Sequence, residues 1–327
     1  MRVLAAPDKF RGTATAAEAA AAIAAGVRAA GAGRAREVPL SDGGEGFLEA
    51  FGGANRVSVV TGPLGDPTPA GWRLAGRVAV IEMAQASGLA LVGGAEGNDP
   101  VAASTVGTGQ LIAEALDAGA RRIFVGHGGS ATTDGGLPAL RALHPPARLK
   151  GVELVAAVDV RCTFVEAAEL FAPQKGASPN QVQLLRRRLE RLAQVYLEDH
   201  GVDVADIEGS GAAGGLAGGL AAVGATITSG FELIADELDL AAAVEEADLV
   251  VTGEGFLDEM SFDGKVVGGV GELAAEFGVP VLVVAGEVFD GVEDRVDAVS
   301  LVARFGRERA MGDTAACIAE AVRDHLG

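Results

Sequence analysis

Cysteine is scarce: 327 residues contain only Cys162 and Cys317. With no CxxC spacing they build neither a disulfide framework nor a zinc site unaided, so buried thiols in a reducing cytoplasm are expected. Aromatic residues make up 4% of the chain, which leaves little for stacking on bases. Positive charge is also short, with 26 Lys plus Arg against 45 Asp plus Glu and a net charge of −19. That balance argues against nucleic acid and anionic membranes, whose phosphates call for a positive field, but admits small anions where positive potential is local. No apolar run is long enough for a bilayer, since the Ala-rich stretch from Ala14 to Ala30 is broken by Glu18 and Arg28. Met1 leads straight into VLAAP without a basic region and a long apolar stretch, so no secretory signal is expected. A GxxxxGK[ST] loop, HxH and HExxH spacings and tandem repeats are all missing, which argues against a P-loop and a histidine metal triad.

What is present reads as α/β. The length gives a prior of roughly two domains, and 49% hydrophobic content can fill sizeable cores. Ile123–Gly136, IFVGHGGSATTDGG, reads as a buried strand running into a Gly, Ser and Thr loop with one acid, Asp134. Amides exposed there, where a following helix begins, suit phosphate. Strands are expected at Arg2–Ala6, Glu37–Leu40, Leu154–Val160, Ala247–Thr252, Pro280–Ala285 and Val299–Ala303. Helices are expected at Thr15–Ala30, Phe47–Phe51, Gln110–Ala118, Pro179–Asp199, Gly268–Phe277 and Thr314–His325. Val57–Met83, with its PLGDP and AGR turns, reads instead as antiparallel strands, so the chain leaves its first domain near Thr61. The Gly-rich stretch Glu208–Gly219 fits either close helix packing or backbone contact with a ligand.

The four lysines are informative. Lys9, Lys175 and Lys265 sit in Gly-containing loops, DKFRG, PQKGA and DGKVVGG, and only Lys150 does not, while arginine supplies the remaining positive charge. A compact, flexible ammonium in such loops suits phosphate. Seven acids, Asp8, Asp42, Glu45, Asp134, Asp159, Glu254 and Asp258, fall at or just after expected strand ends. There they can hold Mg2+ against phosphates or accept a hydroxyl proton, the two protein roles in phosphoryl transfer. His127, within the glycine loop, is either a packing residue or a base. Gly126, Gly128 and Ala131 loosely fit a dinucleotide fingerprint but lack the acid-ended strand expected about twenty residues on, and Gly209, Gly211 and Gly214 spell GxGxxG only after an acidic stretch that is not a strand, so tight-turn glycines are the reading for both.

Taken in order, APDKFRG (6–12), PLSDGGEG (39–46), TGPLGDP (61–67), IEMAQASGL (81–89), STVGTG (104–109), GGSATTDGG (128–136), PQKGAS (173–178), GSGAAGG (209–215) and TGEGFLD (252–258) resemble the glycerate kinase family of the bacterial type. The resemblance implies two α/β domains, one flavodoxin-like with a parallel sheet and one with a mixed sheet, with the active site in the cleft between them. The expected limits are 1–60 plus about 240–327 for the first and about 61–239 for the second. It implies ATP as donor, Mg2+ and glycerate or a close hydroxy acid as acceptor, with 2-phosphoglycerate favoured over 3-phosphoglycerate as product. The implied setting is a cytoplasmic enzyme, with a homodimer as the expected assembly. Asp134, Asp42 and Lys9 are the expected catalytic residues. Gly128, Gly129, Ser130, Thr132, Lys175, Gly253 and Lys265 are expected on phosphate or nucleotide, and Asp134, Glu254 and Asp258 on the metal. The chain departs from the family pattern at Phe256, where Arg usually follows GEG, at Pro138 and Ala172, where glycine is common, and in the shortened HPPARLKG segment. Two competing readings are a catalytically impaired relative that binds ligand, and a nucleotide-dependent oxidoreductase using the GxGxxA loop.

Overall fold

The computed structural model describes residues 1–10, 12–262, 264–289, 291–292 and 295–327; Arg11 of APDKFRG and Asp263 of the loop before Lys265 lie outside them. The strands run in chain order as β1 (Arg2–Ala5), β2 (Arg34–Glu37), β3 (Arg56–Thr61), β4 (Pro67–Ala75), β5 (Val78–Glu82), β6 (Arg122–Gly126), β7 (Glu153–Val158), β8 (Thr226–Ser229), β9 (Leu249–Leu257), β10 (Val281–Val288) and β11 (Asp297–Ser300). The chain forms two compact units, residues 1–42 with 231–327 and residues 43–230. The divisions fall at 42/43 and 230/231 rather than at 60/61 and 239/240; at the first of them β3 goes with the second unit because it pairs along its whole length with β4. Among the described residues no helix is long and apolar enough to cross a membrane.

The first unit is a five-stranded parallel sheet in the order β11-β10-β9-β1-β2. Its central strands are continuously apolar because helices cover both faces. Leu282 and Val284 of β10 pack with Ile23 of the helix Ala16–Ala29 and Ile318 of the helix Thr314–Leu326. Val283 and Ala285 pack on the other side with Val267 of the helix Val266–Phe277. The first helix starts on a capping box in which Thr15 and Glu18 each satisfy the other's backbone amide. The strand expected at Glu37–Leu40 lies earlier, at Arg34–Glu37. It is an edge strand with exposed Arg and Glu, so it carries no apolar signature, while the buried Val38 and Leu40 belong to the loop beyond it.

Chain connections leave β1 towards β2 on one side and β9 towards β10 on the other, with their helices on opposite faces. The switch point between β1 and β9 is where an open parallel sheet leaves a crevice at its carboxyl ends. Strand β9 also runs past its expected end at Thr252 to Leu257, because Glu254, Phe256 and Leu257 continue to pair with β10.

The second unit is a six-stranded mixed sheet, β3-β4-β5-β6-β7-β8. The pairs β3/β4 and β4/β5 are antiparallel and the remaining neighbours parallel, as the PLGDP and AGR turns require. Leu111 and Ile112 of the helix Val106–Asp117 and Leu216 of the helix Ala212–Ala222 pack on Ile81, Ile123 and Val125. The helix Pro179–His200 seats Leu185, Leu189 and Tyr196 against Phe164, and Tyr196 Oη donates to the Gly135 carbonyl at 2.8 Å. Cys317 is buried, whereas Cys162 is half-buried.

Close packing accounts for the Gly-rich stretch. Ala213, Gly214 and Gly215 are left-handed, and a Cβ on Gly214 would overlap the Thr132 carbonyl oxygen and stand 2.6 Å from Thr133 Cα. Gly214→Ala therefore combines backbone strain with a clash and is expected to lower unfolding free energy by roughly 2 kcal/mol or more, read from urea denaturation. An unchanged midpoint would contradict this packing.

Candidate functional site

In the second unit a cavity of about 240 Å³ opens at the carboxyl ends of β6 and β7, lined among others by His127, Gly128, Gly129, Ser130, Gln174 and Lys175, with Asp159 at its exposed side. Lys175 sits in the short turn Pro173–Lys175, and its ammonium is buried. Nζ donates to Ser130 Oγ at 2.8 Å and to the Thr132 carbonyl at 2.7 Å, which leaves the third proton of the ammonium. Burial pushes the Lys175 pKa down to about 8, opposed by the charge of Asp134. The group is thus still a cation at neutral pH. Asn98 ties the two loops together, its Nδ2 donating to the carbonyls of Ala131 at 3.0 Å and Lys175 at 2.9 Å.

The loop is anchored by its own backbone. The His127 amide is shared between the carbonyls of Gly43 and Ala157, and Leu89 and Ala131 exchange amide bonds with Gly129 and Ser87 across the Gly88–Ser130 bridge. Among the described residues the amides of Gly128, Gly129 and Ser130 donate to no protein acceptor, so they remain available to an anion. The following helix begins only at Leu137 and is six residues long, so the donors are loop amides and Lys175 rather than a helix N-terminus.

Thr132 is placed differently from expectation: its Oγ1 turns to the Ala213 carbonyl, and it serves the site through its own carbonyl on Lys175. Asp134, expected as base or magnesium contact, is not among the residues lining this cavity. Its Oδ2 accepts from the Thr105 amide at 2.7 Å and Thr105 Oγ1 at 3.0 Å, and its Oδ1 from the Gly136 amide at 3.0 Å. Burial raises its pKa while those bonds and Lys175 oppose the rise. Its oxygens are committed to fixing the loop to the start of the helix Val106–Asp117. The sequence reading did not single out Thr105 or Asn98, since a threonine and an asparagine in loops carry no signal of their own.

The first unit gathers charge at its switch point. The Lys9 amide donates to Asp8 Oδ1 at 2.7 Å, and its ammonium lies 3.4 Å from Asp42 Oδ1 and 3.6 Å from Asp8 Oδ1. Burial, reinforced by Asp42 and more weakly by Glu254 against the pull of Lys9, lifts Asp8 to about 7. Burial also raises Glu254, with Ser261 and Lys265 opposing, and its Oε1 is buried without a partner. Asp258 is spent on a turn, exchanging hydrogen bonds with Ser261, so its expected metal role has no support in the geometry. Gly253 is likewise structural: it pairs with Val284, its carbonyl takes the Asp8 amide, and a Cβ would overlap the Val284 carbonyl oxygen. Lys265 stands at the start of the helix Val266–Phe277, and Phe256 is exposed with its ring 6.1 Å from Phe289.

Asp8, Asp42 and Glu254 are hard oxygen donors whose burial and mutual repulsion a divalent cation would relieve, so they fit Mg2+. Among the described residues no three His, Cys, Asp or Glu side chains form a complete ligand set. Mg2+ commonly keeps waters and substrate phosphates beside one or two carboxylates, so an incomplete protein set suits it.

The sequence matches the model of the glycerate kinase family over residues 3–145 and 144–324. It is 38% identical to the glycerate 2-kinase of Escherichia coli K12, covering 91% of this chain and 90% of that one. It is also 38% identical to a glycerate kinase of Halalkalibacterium halodurans, covering 89% and 87%. The fold superposes on the crystal structure of a candidate glycerate kinase 2 from Salmonella typhimurium LT2 with a TM-score of 0.84 and 34% identity, covering 100% of this chain and 97% of that one. Loops, sheets and family match agree, and the chain belongs to the glycerate kinase family, a family of kinases.

Proposed function

We propose that this chain transfers a phosphoryl group from ATP to glycerate, giving 2-phosphoglycerate, with the hydroxy acid held in the cavity of the second unit. The observation that carries this reading is the buried Lys175 ammonium on the wall of a cavity of about 240 Å³, a local positive site in a chain of net charge −19. The volume suits a small acid rather than a whole nucleotide, and a carboxylate is the anion assigned to Lys175, Ser130 Oγ and the amides of Gly128 and Gly129. The product assignment is supported by the name of the Escherichia coli relative.

In phosphoryl transfer a protein chiefly positions groups and offsets charge. Lys9 and Lys265 are assigned to the charge of the donor phosphates. Mg2+, when bound, would neutralise phosphate charge from a seat among Asp8, Asp42 and Glu254. Binding of the cation would draw the proton off Asp8, whose pKa burial lifts to about 7. Asp134 becomes a positioning residue that holds the loop.

ADP release with ATP and Mg2+ is expected to depend on one enantiomer of glycerate, with the product identified by NMR. ATP binding without acceptor-dependent release would instead favour a binding role, for which Phe256 is the motive. Lys175→Met is expected to lower kcat/KM for glycerate by about 100-fold or more. Turnover unchanged in that variant would remove Lys175 from the site.

Asp8 also predicts a pH dependence. Its folded pKa lies above the unfolded 3.8, so the protonated carboxyl stabilises the native state. That contribution is complete below 3.8 and is lost as pH rises through about 7. Asp8→Asn, neutral throughout, is expected to flatten the fall in unfolding free energy across this window. An identical slope in the variant would contradict the placement of Asp8.

A further inference from the structure

His127 combines three features. Its ring is buried in the wall of the second unit's cavity, Nδ1 lies 2.8 Å from the Val125 carbonyl, and Nε2 is buried with no partner. A carbonyl oxygen only accepts, so Nδ1 carries the proton. Burial lowers the ring pKa to about 4, so the imidazole is neutral at physiological pH and Nε2 presents an unshared lone pair. The ring is held by the Val125 carbonyl, with the Ala157 carbonyl also acting on it, and its main chain is anchored by the amide's bonds to Gly43 and Ala157. A fixed, dehydrated acceptor without a donor is a polar group whose desolvation is uncompensated until a ligand supplies one.

We infer that His127 Nε2 accepts a hydrogen bond from a hydroxyl of the acid bound in this cavity and thereby selects hydroxy acids over their deoxy analogues. The inference rests on the reading that the cavity holds glycerate. Lys175 Nζ, Ser130 Oγ and the loop amides are donors that suit the carboxylate end of such a ligand, while Asp159 and Gln174 Oε1 are acceptors elsewhere on the lining. His127 Nε2 differs from those acceptors in being buried without a partner. So weak a base does not remove the hydroxyl proton; it is a positioning and specificity residue. A site built to receive a hydroxyl rejects an analogue that lacks it, because its own polar group is then left unpaired.

The test uses the full chain, D-glycerate and two analogues, D-lactate and 3-hydroxypropanoate, each missing one hydroxyl. His127→Asn keeps an N–H for the Val125 carbonyl and removes the Nε2 acceptor, whereas His127→Gln offers an oxygen near the Nε2 position. His127→Asn is expected to raise Kd and KM for glycerate about tenfold with a much smaller change in kcat, and His127→Gln to recover part of that loss. The analogue lacking the contacted hydroxyl should bind the parent and His127→Asn alike. In the unaltered protein labelled with nitrogen-15 histidine, the Nε2 resonance of His127 should move on adding glycerate while Nδ1 stays protonated, a readout independent of how the variants fold. An Nε2 resonance unmoved at saturating glycerate, or a folded His127→Asn with unchanged Kd and KM, overturns the inference and leaves the kinase reading standing. Absence of both glycerate binding and glycerate-dependent turnover in the unaltered protein overturns the two together.

Discussion

The second unit's site depends on keeping one ammonium buried. Removing a charge from water is costly unless it is paired and hydrogen-bonded, and Lys175 meets that demand with Ser130 Oγ, the Thr132 carbonyl and the field of Asp134. The two buried ions depend on each other: Asp134 holds Lys175 up in pKa, and Lys175 holds Asp134 down. Asp134 in turn needs the Thr105 amide and hydroxyl and the Gly136 amide. Three stretches distant in sequence, STVGTG, GGSATTDGG and PQKGAS, are therefore parts of one electrostatic unit. Close backbone packing by Gly214 fixes the Thr132 carbonyl that completes it.

The first unit solves a different problem. Its switch point brings Asp8, Asp42 and Glu254 into one buried region with Lys9 as the cation bonded to two of them. Burial is the main cause of the elevated pKa of Asp8, and Asp42 and Glu254 add to it against the pull of Lys9. Functional sites commonly carry such uncompensated charge, which ligands with the opposite charge relieve.

Much of this was legible in the residues. The parallel and antiparallel halves followed from periodicity and turn residues, and Lys175 stood out because the chain otherwise writes arginine for positive charge. Some signals in the residues are shared by two physical causes. Asp134 follows a strand and glycines, as a catalytic acid would, but its oxygens serve backbone amides and Thr105. Gly253 lies in a motif, yet strand pairing alone demands it. Strand β2 lies ahead of its expected place because an edge strand of Arg and Glu has no apolar rhythm. The capacity of His127 was hidden for another reason: whether a histidine packs or accepts depends on which ring nitrogen finds a partner, and that is set by the Val125 carbonyl rather than by spacing.

The central claim is that the buried Lys175 ammonium receives the carboxylate of the hydroxy acid. A crystal structure of the unaltered protein grown with D-glycerate tests it most directly. The account predicts the carboxylate on Lys175 Nζ and Ser130 Oγ, with the amides of Gly128 and Gly129 beside it. Glycerate bound elsewhere while this cavity holds a nucleotide phosphate or solvent would contradict it.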